Sequence, residues 1–178
     1  EKAWAIRAGL GWRGRNSLVI NKELGSFIFL GEIVTTAEFL YENASSRDRC
    51  GDCDLCIKAC PTGAICDNRT IDARRCIAYM TIEHEGGLPE EFRGKTENII
   101  FGCDRCQEVC PWNKKAVHYT DKELIPEFNV TQLTRKDWQA MTPDDFKRLF
   151  RSSPIKRTGF KMIRRNIDFA NPVSSEKR

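Results

Sequence analysis

The residues best placed to do chemistry are the cysteines, nine in a chain of 178. Four of them, in "CGDCDLCIKACP", form a C-x₂-C-x₂-C-x₃-C-P run through Cys50, Cys53, Cys56 and Cys60. A second stretch, "GCDRCQEVCP", repeats the run without its first cysteine and supplies Cys103, Cys106 and Cys110. Zinc sites draw paired knuckles from separate turns. Steps of three closed by Cys-Pro instead point to [4Fe–4S] clusters, with the fourth cysteine of each run ligating the other cluster. A tight loop wraps three corners of a cube, and the proline turns the chain so that the next thiolate points away. Cys50, Cys53 and Cys56 therefore take Cys110 as their fourth partner. Cys103, Cys106 and the crossing Cys60 need one more ligand. Cys66 and Cys76 are the candidates; Cys76, in the helical pattern "DARRCIAYMTI", is the choice, which leaves Cys66 as a spare thiol.

The elements around these loops read as an α+β protein. "EKAWAIRAGLG" has a helical pattern with Ala3, Ile6 and Leu10 on one face. "SLVI" and "SFIFLGEIVT" read as two strands joined by "NKELG". Glycines 9, 11 and 14 allow close backbone approach beside Trp12, Arg15 and Asn16. They leave a helix instead of opening one, so they are no dinucleotide fingerprint. "TPDDFKRLFR" carries a helix start at Thr142-Pro143, and "SPIKRTGFKMIRRNIDFA" starts in the same way at Ser153-Pro154. In that second stretch Ile155, Phe160, Ile163 and Ile167 line the apolar side. Lys156, Arg157, Lys161, Arg164 and Arg165 are left outward.

Charge and composition narrow the classes. The net charge is only +4, but residues 147–165 hold eight Lys or Arg and no acid, a pattern of either a solvated face or a phosphate-binding one. The longest apolar run, "FIFLGEIV", is too short to span a bilayer. His84 and His118 read as surface or packing residues, and no P-loop or Ser/His/Asp pattern is present. The tail "NPVSSEKR" reads as frayed. The chain begins at Glu1 without a methionine, as an excised piece would.

The ordered set "EKAWAIRAGLGWRGRNSLVI", "GSFIFLGEIVT", "CGDCDLCIKACPTGAI", "DARRCIAYMTIEH", "FGCDRCQEVCPWN" and "SPIKRTGFKMIRRN" resembles the epoxyqueuosine reductases, from the first residue to about Ala170. The resemblance implies a ferredoxin-like double-cubane module packed with part of a cobalamin-binding α/β domain and C-terminal helices. Its boundaries would fall at 1–45, 46–118 and 119–178. It implies reduction of the epoxide of epoxyqueuosine in transfer RNA, with two [4Fe–4S] clusters relaying electrons to cobalamin. It agrees with the ligand crossing, including the cysteine of "RRC". It places Arg15, Asn16, Gly25 and Ser26 around the corrinoid, with Arg15 standing where the family usually has lysine. The proton donor is expected upstream of Glu1, so no catalytic residue is assigned. The implied partners are transfer RNA, at Lys156, Arg157, Lys161, Arg164 and Arg165, and an external one-electron donor such as a ferredoxin or flavodoxin. Reduced clusters imply the cytoplasm, with no membrane partner. The rival readings are a plain two-cluster ferredoxin module, a reductive-dehalogenase-like corrinoid enzyme and a zinc-bound nucleic-acid-binding protein.

Overall fold

A computed structural model describes residues 1–40, 47–116 and 128–170. His118, the expected boundaries near 45 and 118, and the tail 171–178 lie outside the described residues. The chain divides into two compact units: Glu1–Asp72 with Asp104–His118, and Ala73–Cys103 with Tyr119–Arg178. This partition cuts the sequence differently from the three segments expected.

The first unit opens with helix α1, Lys2–Arg7. It buries Ala5 and leaves Ala3 and Leu10 exposed, so its inward face is rotated from the one expected. Strands β1 (Trp12–Arg13) and β2 (Val19–Ile20) pair antiparallel, Trp12 opposite Ile20. Gly11 is obligatory here, because a Cβ would lie 2.2 Å from the Ile20 carbonyl oxygen. Trp12, Ile20 and Cys110 form a small core flanked by Cys50 and Trp112, and the two indoles meet edge-on at 4.9 Å. Two short helices follow the cysteine loops, α2 (Leu55–Ala59) and α4 (Arg105–Glu108).

The segment expected as a second long strand is not one. Residues 27–40 carry no ladder, and Phe29, Ile33, Val34 and Leu40 are each more than nine-tenths exposed. Apolar alternation records an affinity for a sheet, and among the described residues the only sheet is the two-residue pair β1–β2.

In the second unit, α3 (Ile77–Ile82) precedes α5 (Arg135–Ala140), α6 (Pro143–Leu149), α7 (Ile155–Thr158) and α8 (Phe160–Ala170). Thr142 caps α6 as its sequence predicts: its hydroxyl accepts from the Asp145 amide, and Asp145 answers to the Thr142 amide. Thr134 and Asp137 do the same for α5. The helix expected from Ser153 onward is broken in two at Gly159, whose φ of +79° no helix interior accommodates. Met141, Phe146, Phe150, Ile155, Ile163 and Ile167 make one core, and Ile77, Met80, Phe92 and Phe169 another. Helix α8 supplies both, through Ile163 and Ile167 to the first and Phe169 to the second.

Candidate metal centre

In the first unit, Cys50, Cys53, Cys56 and Cys110 line one cavity of about 240 Å³, together with Arg15, Asn16, Arg49 and Lys115. Three of the thiols come from the loop into α2, and the fourth arrives from beyond α4. The loop is built by main-chain and side-chain bonds. The Cys53 amide donates to the Cys50 carbonyl at 3.1 Å, and the Cys50 amide to Asp48 Oδ1 at 2.9 Å. Asp48 is held in turn by Arg69, which also donates to the Arg13 carbonyl. That guanidinium draws the Asp48 carboxyl below the usual range.

The thiols sense one another. Burial raises the Cys56 pKa first, and the neighbouring Cys50 and Cys110 add to it. Both effects disfavour the Cys56 thiolate, which a metal centre held there would stabilise. Trp12, 3% exposed in the core beside Cys50 and Cys110, leaves its indole N–H without an acceptor among the described residues. Among those residues no three His, Cys, Asp or Glu side chains converge on a single ion. Four soft donors spread round a cavity, with an N–H left over, fit an iron–sulfur cube, which has several corners and sulfurs that accept hydrogen bonds.

The other expected ligands are divided. Cys60 and Cys106 lie in the first unit, Cys76 and Cys103 in the second. Cys60 Sγ accepts from the Ala64 amide at 3.3 Å and lies 3.7 Å from Thr62 Oγ1. Burial pushes its thiol up, but the donors of Ala64, Thr62 and Ile65 together outweigh it and lower the pKa. Cys76 occupies the N-cap position of α3 without a side-chain capping bond, and Cys103 packs against the core that α3 helps to form. Cys66 is half-buried, with its amide donating to the Thr70 carbonyl.

The residues expected around a corrinoid have other employment. Arg15 donates to the Gly51 carbonyl at 3.0 Å and lines the thiol cavity. Asn16, 1% exposed, donates to the Cys106 carbonyl at 3.5 Å and accepts from the Leu18 amide. The Ser26 amide donates to Asn113 Oδ1 at 2.6 Å, and its hydroxyl lies 2.9 Å from Gln107 Oε1. Gly25 has φ +69°, and a Cβ on it would lie 2.2 Å from Asn113 Oδ1. The space at Gly25 is therefore closely approached by the chain's own Asn113.

The basic stretch is also more varied than its sequence. Lys156 and Lys161 are exposed. Arg157 is ion-paired with Glu83 at 2.6 Å, which lowers the Glu83 pKa. Arg164 reaches the Gln139 carbonyl and Asp168. Arg165, expected outward, turns inward instead and donates to the carbonyls of Met80, His84 and Gly86. Helical periodicity places a residue on a face; it does not reveal that carbonyls some eighty positions away await a donor.

The stretch 49–113 matches the family of 4Fe-4S double cluster binding domains. The epoxyqueuosine reductase of Cyclobacterium marinum is 43% identical over 175 residues, 98% of this chain and 56% of that protein. The epoxyqueuosine reductase of Escherichia coli is 41% identical over 170 residues, 96% of this chain and 45% of that protein. Among solved structures, the Bacillus subtilis epoxyqueuosine reductase aligns with a TM-score of 0.85 at 35% identity, over 95% of this chain and 45% of that one. A crystal structure of an epoxyqueuosine reductase with an epoxyqueuosine-modified tRNA-Tyr stem loop aligns with a TM-score of 0.86 at 36% identity, over 95% and 44%. The chain thus spans about half the length of these relatives. Among the described residues no helix is long and apolar enough to cross a membrane.

Proposed function

The chain corresponds to about half the length of the epoxyqueuosine reductases and carries a double [4Fe–4S] binding domain, and from that premise we propose that it is the electron-delivering part of an enzyme that reduces epoxyqueuosine in transfer RNA. The observation that carries the reading is the gathering of Cys50, Cys53, Cys56 and Cys110 at one cavity, from two loops more than fifty residues apart. These four hold the first cluster. Cys60, Cys103, Cys106 and Cys76 hold the second, an assignment that rests on their spacing. When bound, the clusters would supply electrons singly, from an external donor such as a ferredoxin or flavodoxin, and a cobalamin would supply the reducing chemistry. The overall change takes two electrons and two protons and releases the epoxide oxygen as water.

The chain's own residues shape the first site. Asp48 and Arg69 brace the loop that presents Cys50, and Arg15 fixes its turn at Gly51. Trp12, packed with Cys50 and Cys110, has an indole N–H that would be available to a cluster held there. Asn16, Gly25 and Ser26 make the protein contacts given above, and with Arg15 they remain the residues proposed to lie around a corrinoid. Lys156 and Lys161 suit RNA phosphates, with Arg157 and Arg164 as flanking charge, while Arg165 serves the fold. Cytoplasmic location follows from the substrate and from the reduced thiolates.

The test is anaerobic reconstitution of the chain with an iron and sulfide assay, followed by reductant, cobalamin and an epoxyqueuosine stem loop. About eight irons per chain are expected for two [4Fe–4S] clusters, falling to about four in Cys110→Ala. Added to the remainder of the enzyme, the loaded chain should convert the stem loop to its deoxygenated product. Full iron in Cys110→Ala would overturn the ligand set, and a loaded enzyme that leaves the epoxide intact would overturn the reaction.

A further inference from the structure

Helix α3 has Cys76 at its N-cap position and ends, as every helix does, in carbonyls without intrahelical partners. Its last carbonyls are taken by two consecutive residues of α8. Arg165 donates to the Met80 carbonyl at 2.8 Å, and Asn166 Nδ2 donates to the Thr81 carbonyl at 2.8 Å. The same Asn166 amide nitrogen reaches the Ile100 carbonyl at 2.9 Å. Thr81 completes the link from its own side, because its hydroxyl accepts the Gly102 amide at 3.0 Å. Gly102 has φ +69° and is joined directly to Cys103. Asn166 and Thr81 are each 1% exposed. One buried amide and one buried hydroxyl therefore tie the helix that starts with Cys76 to the strand of chain that delivers Cys103.

We propose that Asn166, acting with Thr81, is a positioning residue for the second cluster, fixing the separation of Cys76 and Cys103 before metal arrives. The proposal rests on the two-cluster reading above. An asparagine on the apolar side of an amphipathic helix is costly unless both amide hydrogens are used, and here both go to main chain, at Thr81 after Cys76 and at Ile100 before Cys103. Asn166 spans α3 and 100–103, so its loss frees the two thiols to move relative to each other. A fixed ligand geometry is what a cluster with four defined corners demands.

The experiment compares the loaded full chain with Asn166→Ala, Thr81→Val and Thr81→Ser by iron content and by the paramagnetic resonance of the reduced clusters. Wild type should hold about eight irons. Asn166→Ala and Thr81→Val should each fall towards four, with one cluster signal kept and the other lost or broadened. Thr81→Ser keeps the hydroxyl and should keep both signals. Full iron and unchanged spectra in Asn166→Ala would overturn the proposal. So would identical behaviour of Thr81→Val and Thr81→Ser, which remains decisive if Asn166→Ala fails to fold. A wild-type chain that takes up four irons or none would overturn the two-cluster reading itself, and the positioning role with it.

Discussion

Replacing Gly25 by alanine separates two explanations of the glycines near the first cavity. Gly25 sits at φ +69°, and the added Cβ would stand 2.2 Å from Asn113 Oδ1. That oxygen is the acceptor for the Ser26 amide at 2.6 Å, while Asn113 Nδ2 donates to the Gln107 carbonyl at 2.7 Å. The side chain therefore cannot swing aside without giving up bonds to the turn between Cys106 and Cys110. A left-handed backbone with a Cβ costs about 1–2 kcal/mol, and losing the Ser26–Asn113 bond adds about 1 kcal/mol. The expected destabilisation is about 2–3 kcal/mol, a fall in Tm of roughly 5–10 °C for a chain of this size. The assay is thermal unfolding of the metal-free chain, in which no cofactor contributes. A metal-free variant as stable as its parent, paired with weakened cobalamin retention by the complete enzyme, would refute the packing argument and return Gly25 to the corrinoid.

Neutralising the two exposed lysines together, Lys156→Gln with Lys161→Gln, should weaken stem-loop binding. It should also flatten the plot of log affinity against log salt by a slope of about 1–2, and an unchanged slope across a salt series would make the pair a solvated face. The Asp145 carboxyl is pulled down to about 2 from 3.8, first by the Thr142 hydroxyl and then by Arg148. A depressed carboxylate stabilises the fold above its unfolded pKa, and the contribution drains away as pH falls from about 4 to 2. Asp145→Asn should therefore unfold with a shallower pH dependence in that window, measured by urea titration; an unaltered slope would remove the cap from the account.

The sequence made the first thiol group legible because its information is local: three cysteines at intervals of three can only wrap something small. The return of Cys110 was readable from the Cys-Pro that ends each run, a covalent instruction as much as a packing one. The caps at Thr142 were equally local. What escaped depends on long-range supply and demand. Gly11, Gly14 and Gly25 looked like room for a ligand, but each faces another part of the same chain at under 3 Å. Arg165 looked like a surface cation, yet three carbonyls required it more than water did. Asn166 did leave a signal, a polar residue between Ile163 and Ile167 on the apolar side of α8, and that signal asked for a buried partner without saying which.

The exposed run from Phe27 to Leu40 has a consequence for how the chain behaves in company. Its peptide groups have no ladder and its large apolar side chains face water. A neighbouring strand laid along the segment would meet both deficits at once, turning an uncovered stretch into part of a sheet.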